Sequence, residues 1–408
     1  MTTDELPAER RQPAQQRRQQ RAVLGSVIGL ILLGTCGLIL LGMATSRVGL
    51  LAVLIGAGTA LVPVGFVVGA FLWIDRWEPE PTKLLLAAFL WGACGATISA
   101  LLINDTARTV GDMLLGQGGG DLLSSVVSAP LVEETAKALF PLALLWRRRQ
   151  EFDGVVDGIV YAGITAAGFA FTENIFYFGQ AFAQDGFGNA TGGVIAVFIL
   201  RGVLSPFAHP LFTVMTGIGV GLAAGSTRAG VRFFAPLLGF LLAVGLHVLW
   251  NGAATLGGGL DFLNIYFLIM VPIFAATVWL VVWQRRREQR IVVAELPFMA
   301  DSGWIAPSEV ALLASMAGRR WWLGRVRQRA GEEAARAVAG YQTAVTELAF
   351  LRYRMANGTC GGDSERRHDE LLTTLHRARA AAVNAPGALG LAGARTAKRR
   401  PRRAGSTG

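Results

Sequence analysis

The chain carries little charge for its length. Only 16% of its 408 residues are Asp, Glu, Lys or Arg, where a soluble domain carries about a quarter. Cysteine is scarcer still. Cys36, Cys94 and Cys360 are all there are, too few for a disulfide framework. The first two lie in apolar stretches, where cysteine behaves as a small hydrophobe. No H-E-x-x-H run occurs, so no local signature announces a zinc site. The 51 glycines show no G-X-Y period, which excludes a collagen-like chain. The first apolar run is too long for the core of a cleaved leader.

What is present is apolar. Hydrophobic residues make up 52% and mean hydropathy is +0.45. They fall into blocks of about 20 residues, each long enough to cross a bilayer. The expected fold class is an all-α polytopic membrane bundle of about eight helices. The spans are predicted at 23–44, 49–74, 84–103, 126–146, 154–179, 202–224, 234–256 and 262–283. The stretch Gly192–Gly225 holds Arg201, Pro206 and Pro210. It reads either as a short amphipathic segment followed by a span or as one kinked helix.

The net charge of +10 resembles a nucleic-acid signal until it is located. Most arginines sit in the tails and in alternate loops, which is a topology signal. Both termini are expected on the cytoplasmic side, with a bacterial plasma membrane as the setting. The bilayer is therefore an expected partner and nucleic acid is not, since no aromatic-interleaved basic groove accompanies the charge. Four regions are expected: a disordered basic tail over 1–22, a transmembrane domain over 23–284, a helical cytoplasmic region over 285–390 and a disordered basic tail over 391–408. Helix starts in the third are predicted at Ser308 and near Asp363. The Asp75–Pro81 loop reads as a rigid connector because its prolines restrict the chain.

Ionisable groups are expensive inside a bilayer, and each needs a reason. The fourth predicted span carries Glu133, Glu134 and Lys137. The fifth carries Glu173 and Asn174, the sixth His209, the seventh His247 and Asn251. Glu133 and Lys137 are spaced i,i+4, the favourable order for a helical ion pair. His247 and Asn251 share that spacing and so one helix face. At about 1.5 Å of rise per residue, Glu133, Glu134, His209 and His247 fall at nearly one depth, with Glu173 slightly further out. A shared site in the outer half of the membrane explains the coincidence. A buried carboxylate there can deprotonate water. Histidine can stabilise an oxyanion or ligate a metal, and asparagine can donate to an oxyanion. An ion-coupled transporter using the same groups as a relay is the alternative, and a non-catalytic scaffold a third. Gly154, Gly158, Ala162, Ala166 and Ala170 repeat every four residues, as do Gly217, Gly221 and Gly225. Such stripes allow close helix approach. Arg201 reads as a snorkelling interfacial side chain, with a substrate contact as the other reading.

The polar residues also match a known pattern. Glu133-Glu134-Thr135-Ala136-Lys137 stands as an E-E-x-x-K motif, and Phe169 to Glu173-Asn174 as F-x-x-x-E-N. His209 and the run His247 to Asn251 stand as two histidine motifs. In this order the chain resembles the PrsW family of intramembrane proteases over roughly residues 50–260, a family similar to the CAAX-processing and Abi-type membrane proteases. The resemblance implies hydrolysis of peptide bonds in membrane-anchored protein substrates, an anti-sigma factor among them. It implies Glu133 as the group that activates water, with Glu134 assisting. His247 and Asn251 would stabilise the oxyanion. His209 and Glu173 would orient water or, with His247, hold a divalent metal, zinc if the enzyme is a metalloprotease. Lys137, Phe169 and Asn174 would support the site.

Overall fold

The computed structural model describes residues 11–147, 152, 154–360 and 363–384. Every named element among those residues is a helix, without a named strand. Seven helices are long and apolar enough to cross a membrane by length and composition: Val27–Val48, Leu50–Ile74, Thr82–Leu115, Val155–Asp185, Gly193–Ala224, Ala229–Leu256 and Gly259–Asp301. The polytopic all-α class is therefore borne out. The predicted span at 126–146 forms a helix, Ala129–Arg147. It is not among the seven apolar helices, since it carries Glu133, Glu134 and Lys137.

We number the helices α1 (Arg11–Val48), α2 (Leu50–Ile74), α3 (Thr82–Leu115), α4 (Ala129–Arg147), α5 (Val155–Asp185), α6 (Ala208–Ala224) and α7 (Ala229–Leu256). Helix α1 starts at Arg11, so part of the tail expected to be disordered is helical. Arginine and glutamine are good helix formers, and Pro13 lies in the first turn, where proline is tolerated. The basic tail expected at 391–408 lies outside the described residues. The chain divides into two compact units. The first takes in residues up to Trp73, Pro81–Ala224 and Gly230–Phe274. The second takes in Ile74–Glu80, Gly225–Ala229 and the chain from Ala275 on.

Helix α5 is the axis of the first unit. Within its apolar window 78% is buried, against 11–39% for the other membrane helices. Its small-residue stripe makes this possible. A Cβ at Gly158 would strike the backbone of Gly217 and Gly221, and one at Gly217 would strike Gly158 and Ala162. The two stripes thus face each other and bring α5 and α6 together. On another side, a Cβ at Gly168 would meet the Phe89 carbonyl of α3. Asp157 accepts the Gly154 N–H at 2.9 Å in the first turn of α5, the favourable end for an acidic group. The 193–224 region resolves into a short helical segment ending at Leu204, a break at Ser205–Phe207, and α6. By length and hydropathy the whole of Gly193–Ala224 counts as one candidate span, interrupted at Ser205–Phe207.

The second unit takes α8 (Val271–Asp301) from Ala275 on, then α9 (Pro307–Leu313), α10 (Met316–Ala356) and α11 (Ser364–Asn384). Helix starts at Pro307 and Ser364 agree with the predicted ones. Helix α10 breaks at Gly331, whose φ of 87° suits glycine alone. The Asp75–Pro81 loop is more than a connector. Trp77 is buried in the core of this unit with Leu296, Met299 and Trp322. The Arg319 guanidinium lies 4.9 Å over its ring, a cation–π contact. Burial of Arg319 pulls its ionisation down to about 10.

Asp75 accepts the Glu80 N–H at 2.9 Å. Burial nevertheless pushes its carboxyl up to about 7, the backbone bond offsetting only part of the cost. The neutral form is the one this fold favours. Its contribution is complete below the ordinary carboxylate range and is lost as pH rises through about 7. Thermal unfolding of the full-length protein in detergent, scanned from pH 5 to 8, is expected to show a falling midpoint that Asp75→Asn flattens. Equal pH slopes in the two proteins would remove Asp75 as the cause.

Candidate active site in the membrane unit

Four elements of the first unit supply the site, and each does so from a helix interior or a helix start. Helix α4 presents Glu133, Glu134 and Lys137 on adjacent turns. Glu134 and Lys137 are fully buried, and Glu133 is 7% exposed. Lys137 Nζ donates to Glu134 Oε1 at 2.9 Å and to Glu133 Oε2 at 3.3 Å. It also lies 4.0 Å over the ring of Phe169 from α5. Trp91 of α3 fixes this turn from outside by donating to the Ala136 carbonyl at 2.9 Å.

The two histidines close over the carboxylates. His209 stands in the first turn of α6, just after the break. Its Nε2 donates to Glu173 Oε2 at 2.7 Å, and its Nδ1 accepts from Lys137 Nζ at 3.1 Å. An ammonium can only donate, so the ring proton of His209 belongs on Nε2. His247 of α7 donates from Nδ1 to Glu134 Oε1 at 3.1 Å. Its ring stacks on Phe212 at 4.9 Å. The two imidazoles meet edge to face, with centroids 5.2 Å apart.

Each imidazole therefore spends one nitrogen on a carboxylate and turns the other towards Glu133. His209 Nδ1 is 4.0 Å and His247 Nε2 3.9 Å from Glu133 Oε2. One donor atom from each of Glu133, His209 and His247 lies within 4.8 Å of the others. The separations exceed the about 3.3 Å between ligands of a tetrahedral zinc, from bond lengths near 2.0–2.1 Å, so the donors would draw together on an ion. Two histidines and a glutamate are a catalytic zinc donor set. The carboxylates behind both rings are the outer partners that metal-bound histidines use. Lys137 Nζ already makes two of the contacts that a cation would make, so the donors fit a positive charge. Binding a metal at His209 Nδ1 requires Lys137 to release that nitrogen.

The two glutamates of the motif differ in engagement. Glu134 has both oxygens taken, Oε1 by Lys137 and His247 and Oε2 by the Thr213 hydroxyl at 2.8 Å. Among the described residues Glu133 is engaged through Oε2 by Lys137. Glu173, expected beside the histidines as a metal ligand, sits behind His209 instead, and Glu133 is the carboxylate facing both rings. Asn251, expected at the oxyanion, donates to the Ser125 carbonyl at 2.8 Å. Leu123–Ser128 is a wide π-helical turn, a form that leaves carbonyls open to such partners. Asn174 accepts from Arg201 Nε at 2.7 Å.

Two participants escaped the sequence reading. Thr213 follows His209 at i,i+4, the same spacing as His247 and Asn251, which was the available signal. Arg201 was read as interfacial, yet it pairs with Glu173 and Asn174.

Fold and site together define a polytopic helical membrane protein with a carboxylate–imidazole centre buried among its helices. Residues 80–277, which contain every residue of that centre, match the family described as PrsW family intramembrane metalloprotease. The chain is 33% identical over 162 residues to Protease PrsW of Clostridioides difficile, covering 39% of this chain and 61% of the relative. It is 29% identical over 200 residues to Protease PrsW of Geobacillus kaustophilus, covering 48% of this chain and 78% of the relative. The Oceanobacillus iheyensis Protease PrsW is 30% identical over 155 residues, covering 38% of this chain and 62% of the relative. The chain thus spans about three-fifths of the length of two of these relatives. No solved structure gives a significant match.

Proposed function

We propose that the membrane unit hydrolyses peptide bonds of membrane-anchored proteins. The observation that carries this reading is the convergence of Glu133, His209 and His247 from three helices on one point. These three would hold a divalent cation, and zinc suits the donor set. When bound, such an ion polarises a scissile carbonyl and lowers the pKa of a water. Glu133 faces both rings through Oε2, and its second oxygen accepts the proton of the attacking water and returns it to the leaving amine. Glu134 holds His247 in one tautomer, and Glu173 does the same for His209. Phe169 and Phe212 wall the imidazoles with apolar surface and exclude bulk water from them. Asn251 braces the turn before α4. An anti-sigma factor with a single membrane span is the proposed substrate, and both termini face the cytoplasm of a bacterial cell.

The test uses the full chain purified in detergent and returned to liposomes with single-span protein substrates. Wild type is expected to carry about one zinc per chain and to cleave in a chelator-sensitive way. His247→Ala should lose both metal and cleavage. Cleavage by metal-free, chelator-treated protein would sink the metal assignment and leave Glu133 as the water-activating group.

A further inference from the structure

We infer that Arg201 is a positioning residue for this centre, acting through Glu173 to set the ring of His209. The inference rests on the reading of His209 as a working member of the site. Arg201 lies in the segment before the Ser205–Phe207 break, and His209 lies just after it. Both reach across to α5. Arg201 Nη2 pairs with Glu173 Oε2, and His209 Nε2 bonds the same oxygen at 2.7 Å. One carboxylate oxygen thus staples both sides of a backbone break.

Three contacts hold the guanidinium in place. Beside the Glu173 pair, its Nε donates to Asn174 Oδ1 at 2.7 Å. Its central carbon lies over the ring of Tyr177, 3.9 Å from the centroid. Glu173, Asn174 and Tyr177 are spaced i, i+1 and i+4 on α5, within about one turn, so the clamp is a single surface. A planar fork that serves two acceptors and stacks on an aromatic ring is a task for arginine. Lysine, a point charge on a flexible stem, cannot do all three.

The consequence falls on His209. Held by Arg201, Glu173 is a fixed anionic acceptor for the Nε2 proton. The Nδ1 lone pair is then aimed at the side occupied by Glu133 and Lys137. Without Arg201 the carboxylate loses its counter-charge and the bond that fixes it beside the ring, so the acceptor of the Nε2 proton is free to turn away. Outer partners of this kind typically change metal affinity about 10–100-fold.

The experiment compares full-length wild type with Arg201→Met, Arg201→Lys and Glu173→Gln/Arg201→Met in detergent. The chain has four histidines, and His209→Gln identifies the His209 signals in a ¹⁵N-histidine NMR spectrum. Wild type should show His209 as the Nε2–H tautomer. Arg201→Met should show a mixture, and Arg201→Lys should fall between. The double variant should regain the single tautomer, since glutamine offers a neutral acceptor without a stranded charge. Co²⁺ titration is the second readout. Arg201→Met should weaken Co²⁺ binding about 10–100-fold and alter its visible absorption bands, with recovery in the double variant. A His209 signal and Co²⁺ affinity unchanged by Arg201→Met would overturn the proposal. If wild type binds no Co²⁺ through His247, the metal reading fails by itself, and the tautomer signal still decides the role of Arg201.

Discussion

Glu133→Gln is expected to leave the protein folded and to lower peptide cleavage by about 10²–10⁴-fold, the range for losing a positioned general base. The amide keeps nearly the same shape and can still accept from Lys137. Lys137 also retains Glu134 and His209, so the buried ammonium is not stranded. What disappears is the carboxylate that faces both imidazoles at 3.9 and 4.0 Å. A neutral amide cannot take the proton of a water. Initial cleavage rates in proteoliposomes, read beside the thermal midpoint, separate chemistry from folding. A variant that keeps wild-type rate to within threefold would remove Glu133 from the mechanism.

Glu134→Ala should act on the fold before it acts on the chemistry. Glu134 and Lys137 are both fully buried. Removing one partner of a buried pair costs about 3–5 kcal/mol, because the other is left as an uncompensated charge. Here the loss also strands the His247 Nδ1 proton and leaves the Thr213 hydroxyl with the His209 carbonyl as its acceptor. The expected fall in the midpoint is about 6–20 °C, at 2–4 °C per kcal/mol for a domain of this size. Glu134→Ala/Lys137→Met should recover part of the loss, since coupled neighbours are not additive. A single variant as stable as wild type would mean that Glu133 alone satisfies the ammonium. The two neighbouring glutamates thus predict different failures, one catalytic and one structural, from their different hydrogen bonding.

The Trp77 contact shows what the Asp75–Pro81 loop does within the second unit. The loop that carries it joins α2 to α3 directly, yet its tryptophan belongs to the core of the second unit. A short loop rich in proline looks like a connector because its backbone is restricted. Burial of its one large aromatic is a tertiary fact.

Depth was legible in the sequence, because rise along a helix is constant. Counting residues from span midpoints was enough to place Glu133, Glu134, His209 and His247 in one layer. The small-residue stripes on α5 and α6 were equally legible, since Gly and Ala every four residues must share one face. The membrane class followed from apolar blocks and scarce charge. Rotation about each helix axis and the distance between helices did not follow, because packing against neighbours sets both. That is why Glu133 rather than Glu173 faces the two imidazoles. It is also why Asn251 turns to a backbone carbonyl, and why Thr213 and Arg201 enter the site. Sequence alone determined which groups share a layer of the membrane. Only the packed bundle decided which nitrogen meets which carboxylate, since a hydrogen bond is a matter of tenths of an ångström across helices that no spacing along the chain encodes.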